Sequence, residues 1–382
     1  MVDIDLAALR WNWAQAQSLA APATRLLPIV KADAYGHGLV AVARELAASG
    51  AWGFGVSGLE EALALRAAGL ILPVILLLGA RPQEAAEVVR AHFTPVIFDV
   101  AEAEALNAAA AARGLKQAVH VKVDTGMGRL GFTLPELPAV LARLAAMKKN
   151  IDVEGVCSHL AAADLDDAFS REQLGRFQAA LEEFRQAGLA PRMHHLANSA
   201  AVMGLPDVRL SLARPGVMLY GGYPSEWLRA RTHLRPVMSL KARVLQVKTL
   251  RRGDTVSYGC TYVAAGSERV AVVGCGYSHG YSRALSGKAS VLIGGSRAAV
   301  RGRICMNAFM ADVTHLPQVA TGDEVVLLGT QGEETVSAEE LAELAGTISY
   351  EIFCAVGGLC RKRLVNHAEE RAARDHALSA SR

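Results

Sequence analysis

A lysine, a tyrosine and a glycine-containing turn directly follow a short apolar run near the start of the chain. Residues 26–30 read LLPIV, and Lys31, Tyr35 and the turn Gly-His-Gly at 36–38 come next. A lysine in a dry, cationic environment has a lowered pKa and becomes a nucleophile for carbonyl groups. The stretch therefore predicts a strand-end lysine that forms a Schiff base with a carbonyl compound.

Other polar and cationic side chains lie at or after later β-rich runs. They are Lys122, Arg129, His159, His195 and Arg214. Two further loops, with Ser199 and with Gly216, contain small residues and free backbone amides, as phosphate-binding loops of barrels do. A phosphate opposite a Schiff-base lysine indicates pyridoxal phosphate or a sugar phosphate aldolase, and composition does not separate these two classes.

The elements that must position these residues alternate along the first 220 or so residues. Alanine- and leucine-rich segments with helical spacing separate eight β-rich runs, at 26–30, 52–57, 73–79, 93–98, 118–124, 151–158, 193–197 and about 208–213. Near-continuous apolar strands covered by helices indicate a parallel sheet. Eight such strands predict an α/β fold of the (β/α)8 TIM-like barrel type, with the site at the carboxyl ends of the strands. A doubly wound open sheet is the competing interpretation.

The pattern changes after about residue 235. Short strand-like runs such as ARVLQVKTL and DEVVLLGT are separated by glycine-rich turns, which predicts a C-terminal mainly-β domain. The predicted domains are therefore 1–234 and 235–382. A helix (SAEELAELAG) and a basic, helix-like tail end the chain, and we expect the tail from about residue 366 to be mobile.

Composition excludes several classes. The 382 residues have a net charge of +3 and are 52% hydrophobic, without a block of like charge, so we expect no nucleic-acid or membrane partner. Six cysteines without zinc-ligand spacing predict reduced thiols, no metal and a cytoplasmic location. The N-terminus lacks the apolar core of a signal peptide. The longest apolar run, 70–80, is shorter than the roughly 20 residues that span a bilayer.

The segment VKADAYGHG (30–38) resembles the pyridoxal-phosphate signature of alanine racemases. The resemblance covers nearly the whole chain and includes KVDTGMGRLGF (122–132), CSHLAAAD (157–164), HLANSAA (195–201), ARPGVMLYG (213–221), VSYGCTY (256–262), GRICM (302–306) and TISYE (347–351). It implies an isomerase that uses pyridoxal 5'-phosphate to interconvert L- and D-alanine, a small amino-acid substrate. It also implies a homodimer whose β domains contribute to the partner's active site.

The resemblance implies two bases on opposite faces of the substrate α-carbon. Lys31 would bind the cofactor covalently and act on one face, and Tyr258 of the partner subunit would act on the other. A racemase needs a proton donor and acceptor on each side, so two different bases suit the reaction. His159 would hydrogen-bond to Tyr258, with Arg214 linked behind it.

The resemblance also assigns cofactor contacts. Arg214 would face the pyridine nitrogen, where a permanent positive charge disfavours ring protonation and transamination. His195 would lie behind Arg214. The phosphate would be held by Tyr35, Ser199, Tyr350 and the backbone amides of Gly216 and Val217.

The implied substrate contacts come from both predicted domains. Arg129 and the backbone amide of Met306 would bind the carboxylate. Tyr277 and Arg283 resemble residues that line the substrate entrance. Lys122 matches a lysine that family members often carry as a carbamate near Arg129.

Three positions depart from the family pattern. Asn307 replaces an acid, His279 an aspartate and Gly274 a proline. Because they lie near the substrate entrance, a racemase with broader amino-acid preference is the alternative function. A decarboxylase should have an acid where Arg214 stands, and a non-catalytic pyridoxal-phosphate homeostasis protein should resemble the barrel alone. The expected cellular role is supply of D-alanine for peptidoglycan, or its catabolism.

Overall fold

Nine strands occur in the first part of the computed structural model, which describes residues 1–165 and 167–366. They are β1 (Val2–Asp5), β2 (Arg25–Leu26), β3 (Phe54–Val56), β4 (Val74–Leu76), β5 (Thr94–Ile97), β6 (Gln117–Lys122), β7 (Ile151–Cys157), β8 (Met193–His195) and β9 (Leu212–Ala213). Strands β2 to β9 lie at the eight predicted positions. The predicted tail after residue 366 lies outside the described residues.

These eight strands form a closed parallel barrel. Strands β3 to β8 pair in chain order, and β2 pairs with β9. A parallel bridge joins Ile29, just after β2, to Gly55 of β3. The amide of Arg214 donates to the carbonyl of Ala197 at 3.0 Å, which links β9 to the end of β8. The barrel prediction is confirmed, and the open-sheet alternative is excluded.

All eight barrel strands are shorter than the predicted runs, and the causes are clear for β2 and β9. Strand β2 ends at Leu26 instead of residue 30, because Pro28 has no N–H for a ladder. The carbonyl of Pro28 still accepts from the amide of Gly55 at 3.0 Å. Strand β9 begins at Leu212 instead of about 208, because a 3-10 turn that starts at Pro206 occupies the preceding residues.

The barrel helices surround the strands and bury their apolar stripes. These helices are Leu6–Leu19, Leu39–Ala48, Leu59–Ala67, Ala85–Arg90, Val100–Arg113, Leu137–Ala146, Asp167–Gln186, Ser199–Gly204 and Glu226–Arg229. The helix Val100–Arg113 illustrates the local rules. The Asp99 side chain accepts from the amide of Ala101 at its start, and Gly114 adopts a left-handed conformation (φ 63°) at its end.

The C-terminal part is built around a second barrel. Its strands are β10 (Met238–Leu250), β11 (Thr255–Val256), β12 (Tyr262–Val263), β13 (Glu268–Val273), β14 (Ser290–Ile293), β15 (Ser296–Arg301), β16 (Phe309–Asp312), β17 (Glu324–Gln331), β18 (Glu334–Val336) and β19 (Lys362–Val365). Strands β10, β13, β16, β15, β14 and β17 pair antiparallel in that order, and β17 returns to β10. Closure removes the exposed strand edges. The mainly-β prediction is confirmed.

Strand β1 joins the first residues of the chain to this C-terminal sheet. It pairs antiparallel with β10 and parallel with β19, and it buries Val2 and Ile4. Arg363 of β19 donates two hydrogen bonds of 2.8 Å to the carboxylate of Asp3. The sequence analysis did not predict this strand, because four residues at a terminus carry little periodicity.

Two helices of the C-terminal part follow the second barrel. They are Ala338–Ala345, which includes the predicted helix, and Ser349–Leu359, which the sequence analysis did not predict. The second helix carries Tyr350 and packs against the turn that contains Lys31. The C-terminal part therefore contacts the lysine-bearing turn of its own chain directly.

The turn after β2 is left-handed. The φ angles of Ala32, Asp33, Ala34 and Tyr35 lie between 53° and 55°, a region that costs roughly 1–2 kcal/mol for each residue with a Cβ. Surrounding groups stabilise this turn. For example, the carboxylate of Glu61 accepts from the amide of Ala32 at 2.6 Å.

A buried histidine supports the same turn from inside. Nδ1 of His37 lies 3.0 Å and 2.9 Å from the carbonyl oxygens of Ala34 and Tyr35, so it donates to them. The His37 ring stacks on Tyr220 with centroids 4.5 Å apart and meets the edge of Phe353 at 5.2 Å. These contacts fix the path of the chain immediately after Lys31.

Backbone contact between two glycines lets the helix Ser349–Leu359 approach the lysine turn. A Cβ on Gly357 would overlap the carbonyl oxygen of Gly36, and a Cβ on Gly36 would lie 2.5 Å from the carbonyl oxygen of Phe353. Gly36 also has a φ of 79°, which favours glycine. The two glycines are therefore required by close packing.

We predict that Gly357→Ala destabilises the protein by roughly 1–3 kcal/mol, the usual cost of overpacking a well-packed contact. Gly358→Ala is the matched control, since a Cβ there meets nothing within 4 Å. Urea unfolding of both variants measures the difference. Equal stability of the two variants would show that the Gly36–Gly357 contact does not constrain the fold.

Candidate active site

A cavity of about 490 Å³ opens at the carboxyl ends of the barrel strands. Eleven of the residues that the sequence analysis selected line it: Lys31, Tyr35, Lys122, Arg129, His159, His195, Ser199, Arg214, Gly216, Val217 and Tyr350. All but Tyr350 follow or end a barrel strand, so the barrel brings them together from distant parts of the sequence.

Lys31 begins the left-handed turn and faces this cavity. Burial lowers the pKa of its amine, and the nearby guanidinium groups of Arg129 and Arg214 lower it further, against a weaker opposite effect of Glu61. A lowered pKa increases the fraction of neutral amine, the form that attacks a carbonyl. The environment that the sequence suggested for Lys31 is therefore present.

Arg214 is buried and held by acceptors on one side. Its Nη1–H donates to Nδ1 of His195 at 2.7 Å, and its Nη2–H donates to the carbonyl of Ser158 at 2.7 Å. Nη2 also lies 3.4 Å from Nδ1 of His159. Within the described part of the chain, its Nε–H makes no hydrogen bond. One donor of a fixed cation thus stays available beside the cavity.

The histidines around Arg214 are neutral. Burial lowers the pKa of both His159 and His195 well below the usual value, and the positive charge of Arg214 is the next cause for each. Neutral imidazoles can accept from a guanidinium, whereas imidazolium groups cannot. The site therefore combines a permanent cation with two neutral acceptors.

Backbone amides and hydroxyl groups cluster at the opposite end of the cavity. The hydroxyl of Ser199 accepts from the amide of Gly216 at 2.8 Å. A Cβ on Gly216 would lie 2.6 Å from the phenol oxygen of Tyr35, so only glycine fits there. The Tyr35 ring lies 6.0 Å from that of Tyr350 on the C-terminal helix. These groups form a small pocket of hydrogen-bond donors.

Arg129 lies on a loop wound around one carboxylate. An oxygen of Asp124 accepts from the amides of Gly126, Met127 and Gly128 at 2.9, 2.9 and 3.2 Å. Hydrogen bonds to backbone amides lower the pKa of this carboxyl despite its partial burial. The loop is therefore fixed locally, and it presents Arg129 to the cavity.

Four of the predicted site residues lie outside this cavity in the single chain. Tyr258 and Met306 are 70% and 54% exposed. Tyr277 and Arg283 line a separate groove of about 430 Å³ against the two C-terminal helices. All four belong to the C-terminal part of the chain, so one chain brings together only the barrel residues and Tyr350.

Two of the residues that depart from the family pattern, Asn307 and His279, lie in or beside the turn that carries Met306. The hydroxyl oxygen of Ser278 lies 2.6 Å from the side-chain oxygen of Asn307 and 2.8 Å from the carbonyl oxygen of Met306, so its single proton is shared between these acceptors. Nδ1 of His279 accepts from the amide of Gly276 at 3.3 Å. These contacts keep the turn ordered without the acids of the family pattern.

Two groups of this region were not predicted from the sequence. Cys157 lines the cavity, and His120 contacts His195 behind it. The available signal was strand alternation: His120 and Lys122 are two apart on β6, so they point to the same face. The thiol of Cys157 is buried, which raises its pKa.

Comparison with known proteins agrees with this arrangement. Residues 4–224 match the family profile described as alanine racemase, N-terminal domain, and residues 237–364 match that of the C-terminal domain. The chain belongs to the alanine racemase family. Members of this family are isomerases and depend on pyridoxal phosphate.

Similarity to individual alanine racemases extends over nearly the whole chain. The protein from Syntrophobacter fumaroxidans is 48% identical over 93% of this chain and 95% of its own, and that from Desulfovibrio desulfuricans is 47% identical with the same coverage. The solved alanine racemase of Streptomyces coelicolor A3(2) is 35% identical with a TM-score of 0.92, over 96% of this chain and 97% of that chain.

Alanine racemisation is accordingly the activity of this chain. The family assignment predicted from the motifs is confirmed. The alternative functions, a racemase of broader preference and a non-catalytic homeostasis protein, are not favoured. Separately, none of the helices among the described residues is long and apolar enough to cross a membrane.

We predict that the protein loses stability as the pH falls below about 6.5, the ordinary histidine pKa. Burial lowers the pKa of His37 to about 4, and it lowers those of His120, His159 and His195. The unfolded chain then binds protons that the folded chain does not, and each histidine contributes up to about 1.4 kcal/mol per pH unit. Glu102, with a pKa raised to about 7 by burial, acts in the opposite direction but is a single group.

Urea unfolding between about pH 8 and pH 5 measures this dependence. The control is His37→Gln, which keeps a side-chain N–H donor but cannot titrate. Its unfolding free energy should depend less steeply on pH, by up to one proton. An unchanged slope in this variant would contradict a neutral, buried His37.

Proposed function

We propose that this chain binds pyridoxal 5'-phosphate through Lys31 and interconverts L- and D-alanine by a two-base mechanism. The single observation that carries the proposal is one cavity that joins a lysine with a lowered pKa to a buried Arg214 and to a pocket of amide donors. When bound, the cofactor supplies the electron sink that makes the α-proton of an amino acid acidic. The chain itself must bind, orient and transfer protons.

The residues present fit this cofactor. Backbone amides of Gly216 and Val217, with the hydroxyl groups of Ser199 and Tyr35, suit a phosphate, and a Cβ at Gly216 would fill their pocket. Tyr350 adds a phenol from the C-terminal helix. At the other end, the uncommitted Nε–H of Arg214 suits the pyridine nitrogen, which can only accept while it is unprotonated.

The charge of Arg214 favours racemisation over other reactions of the same cofactor. An acid at the pyridine nitrogen would stabilise its protonated form, whereas a guanidinium disfavours protonation. None of the described residues that line the cavity is an aspartate or glutamate. A decarboxylase with a strengthened electron sink is therefore not supported, and reprotonation of the α-carbon is the favoured outcome.

Lys31 and Tyr258 are proposed as the two bases. Lys31 takes or gives a proton on one face of the substrate α-carbon, and Tyr258 of the partner subunit acts on the other face. Nδ1 of His159 faces the guanidinium of Arg214, so its Nε2–H would donate to the phenol oxygen and stabilise the ionised form. Exposure of Tyr258 in the single chain supports a site completed by a second copy, and hence a homodimer.

The substrate carboxylate is proposed to bind Arg129 and the backbone amide of the partner's Met306. Tyr277 and Arg283 are proposed to line the entrance from the same partner. Lys122 lies among these cations and also lines the cavity, where burial lowers its pKa. The positive charges of this site suit the carboxylate of an amino-acid substrate.

We further propose that the enzyme is cytoplasmic and supplies D-alanine for peptidoglycan. The six cysteines are unpaired, which supports a reducing compartment. The boundary between the barrel and mainly-β domains is proposed at residues 234 and 235, directly before β10. Asn307 is the feature that makes substrate breadth worth measuring, by chiral analysis of a panel of amino acids.

The first test is covalent trapping of the cofactor. Borohydride treatment of the purified protein with pyridoxal phosphate should attach the label to Lys31, because its amine faces the cavity and has a lowered pKa. Lys31→Ala should abolish labelling and racemisation. A label on Lys122 instead would overturn the site assignment, and failure to racemise alanine would overturn the proposed activity.

The second test is complementation between two inactive chains. Lys31→Ala and Tyr258→Phe should each lose most activity, while a mixture should recover up to about a quarter of wild-type activity. Random mixing gives half heterodimers with one complete site of two, if Tyr258 acts in the partner's site. The control is mixing under conditions where mass spectrometry detects no subunit exchange. Exchange without recovered activity would show that Tyr258 acts in its own chain.

A further inference from the structure

Polar side chains extend from the cavity into the barrel interior, where barrels ordinarily pack apolar residues. Nη1 of Arg214 donates to Nδ1 of His195 at 2.7 Å, and Nε2 of His195 lies 2.7 Å from Nδ1 of His120. Nε2 of His120 lies 3.7 Å from a carboxylate oxygen of Glu154. We name these four residues the Arg214–Glu154 chain.

Hydrogen-bond chemistry fixes the protons along this chain. A guanidinium can only donate, so Nδ1 of His195 accepts and its proton lies on Nε2. That proton uses Nδ1 of His120 as its acceptor, so the proton of His120 also lies on Nε2 and points to Glu154. Both imidazoles are neutral and have the same tautomer. Reversing either tautomer would place two donors against each other.

Glu154, the last residue of the Arg214–Glu154 chain, is itself held in place. Arg192 donates to the second oxygen of Glu154 at 3.1 Å, and the amide of Arg192 donates to the carbonyl of Glu154 at 2.8 Å. Gly155 makes room for the imidazole, since a Cβ there would lie 2.8 Å from the ring of His120. The strand pair β6–β7 is therefore shaped around this histidine.

The charges around Arg214 indicate a role for the Arg214–Glu154 chain. Lys31, Lys122 and Arg129 share the cavity with Arg214, and no described residue lining it is a carboxylate. Burying several cations without an anion is unfavourable. Glu154 offers a negative charge to the same side of Arg214 as His195, through two polarisable imidazoles.

We propose that His120 and Glu154 are positioning residues for the racemase, which keep His195 in its Nε2–H tautomer and thereby fix the guanidinium of Arg214 at the cofactor ring. This proposal rests on the proposed function. A guanidinium held at the ring nitrogen keeps that nitrogen unprotonated, whereas a displaced one permits protonation and favours transamination. The Arg214–Glu154 chain therefore controls how often transamination occurs in place of racemisation.

The functional test counts pyruvate released per racemisation event by the enzyme with bound cofactor. In this side reaction the amino group of alanine passes to the cofactor, whose aldehyde becomes an amine, and the remaining keto acid is pyruvate; no external oxidant is required. His120→Leu should raise this ratio about tenfold, the size expected for one lost buried hydrogen bond. The KM for alanine should change little, because the residues proposed to bind the substrate carboxylate do not belong to the Arg214–Glu154 chain.

Two variants distinguish a loss of the hydrogen bond to His195 from a non-specific effect of substitution. His120→Asn, whose amide oxygen can accept from His195, should return the ratio toward the wild-type value. Asp152→Asn is the matched control, because Asp152 contacts Arg192 at 3.3 Å, as Glu154 does, but makes no contact with His120 among the described residues. Its ratio should equal that of wild type. An equal rise in Asp152→Asn and His120→Leu would overturn the proposal.

A second readout needs neither cofactor nor activity. In histidine-15N-labelled apoprotein, both His195 and His120 should give Nε2–H resonances that persist from about pH 8 to about pH 6, near the ordinary histidine pKa. The other titratable groups near His195 are Lys122 and His194. Glu154→Gln keeps an acceptor for His120, so its tautomer should persist. An Nδ1–H tautomer of wild-type His195 would refute the proposal, even if the protein racemises alanine.

Discussion

The burial of the Arg214 guanidinium is the constraint on which the rest of the site depends. A buried cation must give its hydrogens to acceptors, and here these are a backbone carbonyl and neutral imidazoles. Burial lowers the pKa of the two histidines around it, and the positive charge of Arg214 lowers it further, so both are neutral. The cation proposed to face the cofactor ring thus also favours the neutral form of its neighbours.

The lysine is positioned by a different means, a strained turn held by packing. Four residues with Cβ atoms adopt left-handed conformations directly after Lys31. Glu61 and His37 satisfy backbone groups of this turn, and the helix Ser349–Leu359 packs against it through a glycine–glycine contact. Strain of this kind persists only where the surroundings determine it. The C-terminal helix thereby contributes to the geometry of the barrel site in its own chain, besides supplying Tyr350.

The barrel and the C-terminal part supply different chemical groups to the proposed site. The barrel supplies a lysine, permanent cations and backbone amides, which together suit a phosphorylated cofactor and a carboxylate. The C-terminal part presents Tyr258 and Met306 on an exposed surface. Among the described residues, none forms a hydrogen bond with the exposed hydroxyl of Tyr258. This exposure is the physical reason why the proposed two-base reaction is assigned to a dimer, in which a second copy places its Tyr258 at the barrel site.

The sequence by itself determined the fold class, the family and the barrel half of the site. Eight apolar strands at regular spacing require a parallel sheet, and residues at strand ends meet at one mouth, so Lys31, Arg129 and Arg214 could be brought together without coordinates. The tertiary structure alone decided what depends on long-range packing. Strand β1 pairs with residues more than 230 positions away, the turn after Lys31 is left-handed, and His120 connects Arg214 to Glu154. Local periodicity carries no information on such contacts, because handedness and hydrogen-bond partners are set by the groups that the fold places nearby.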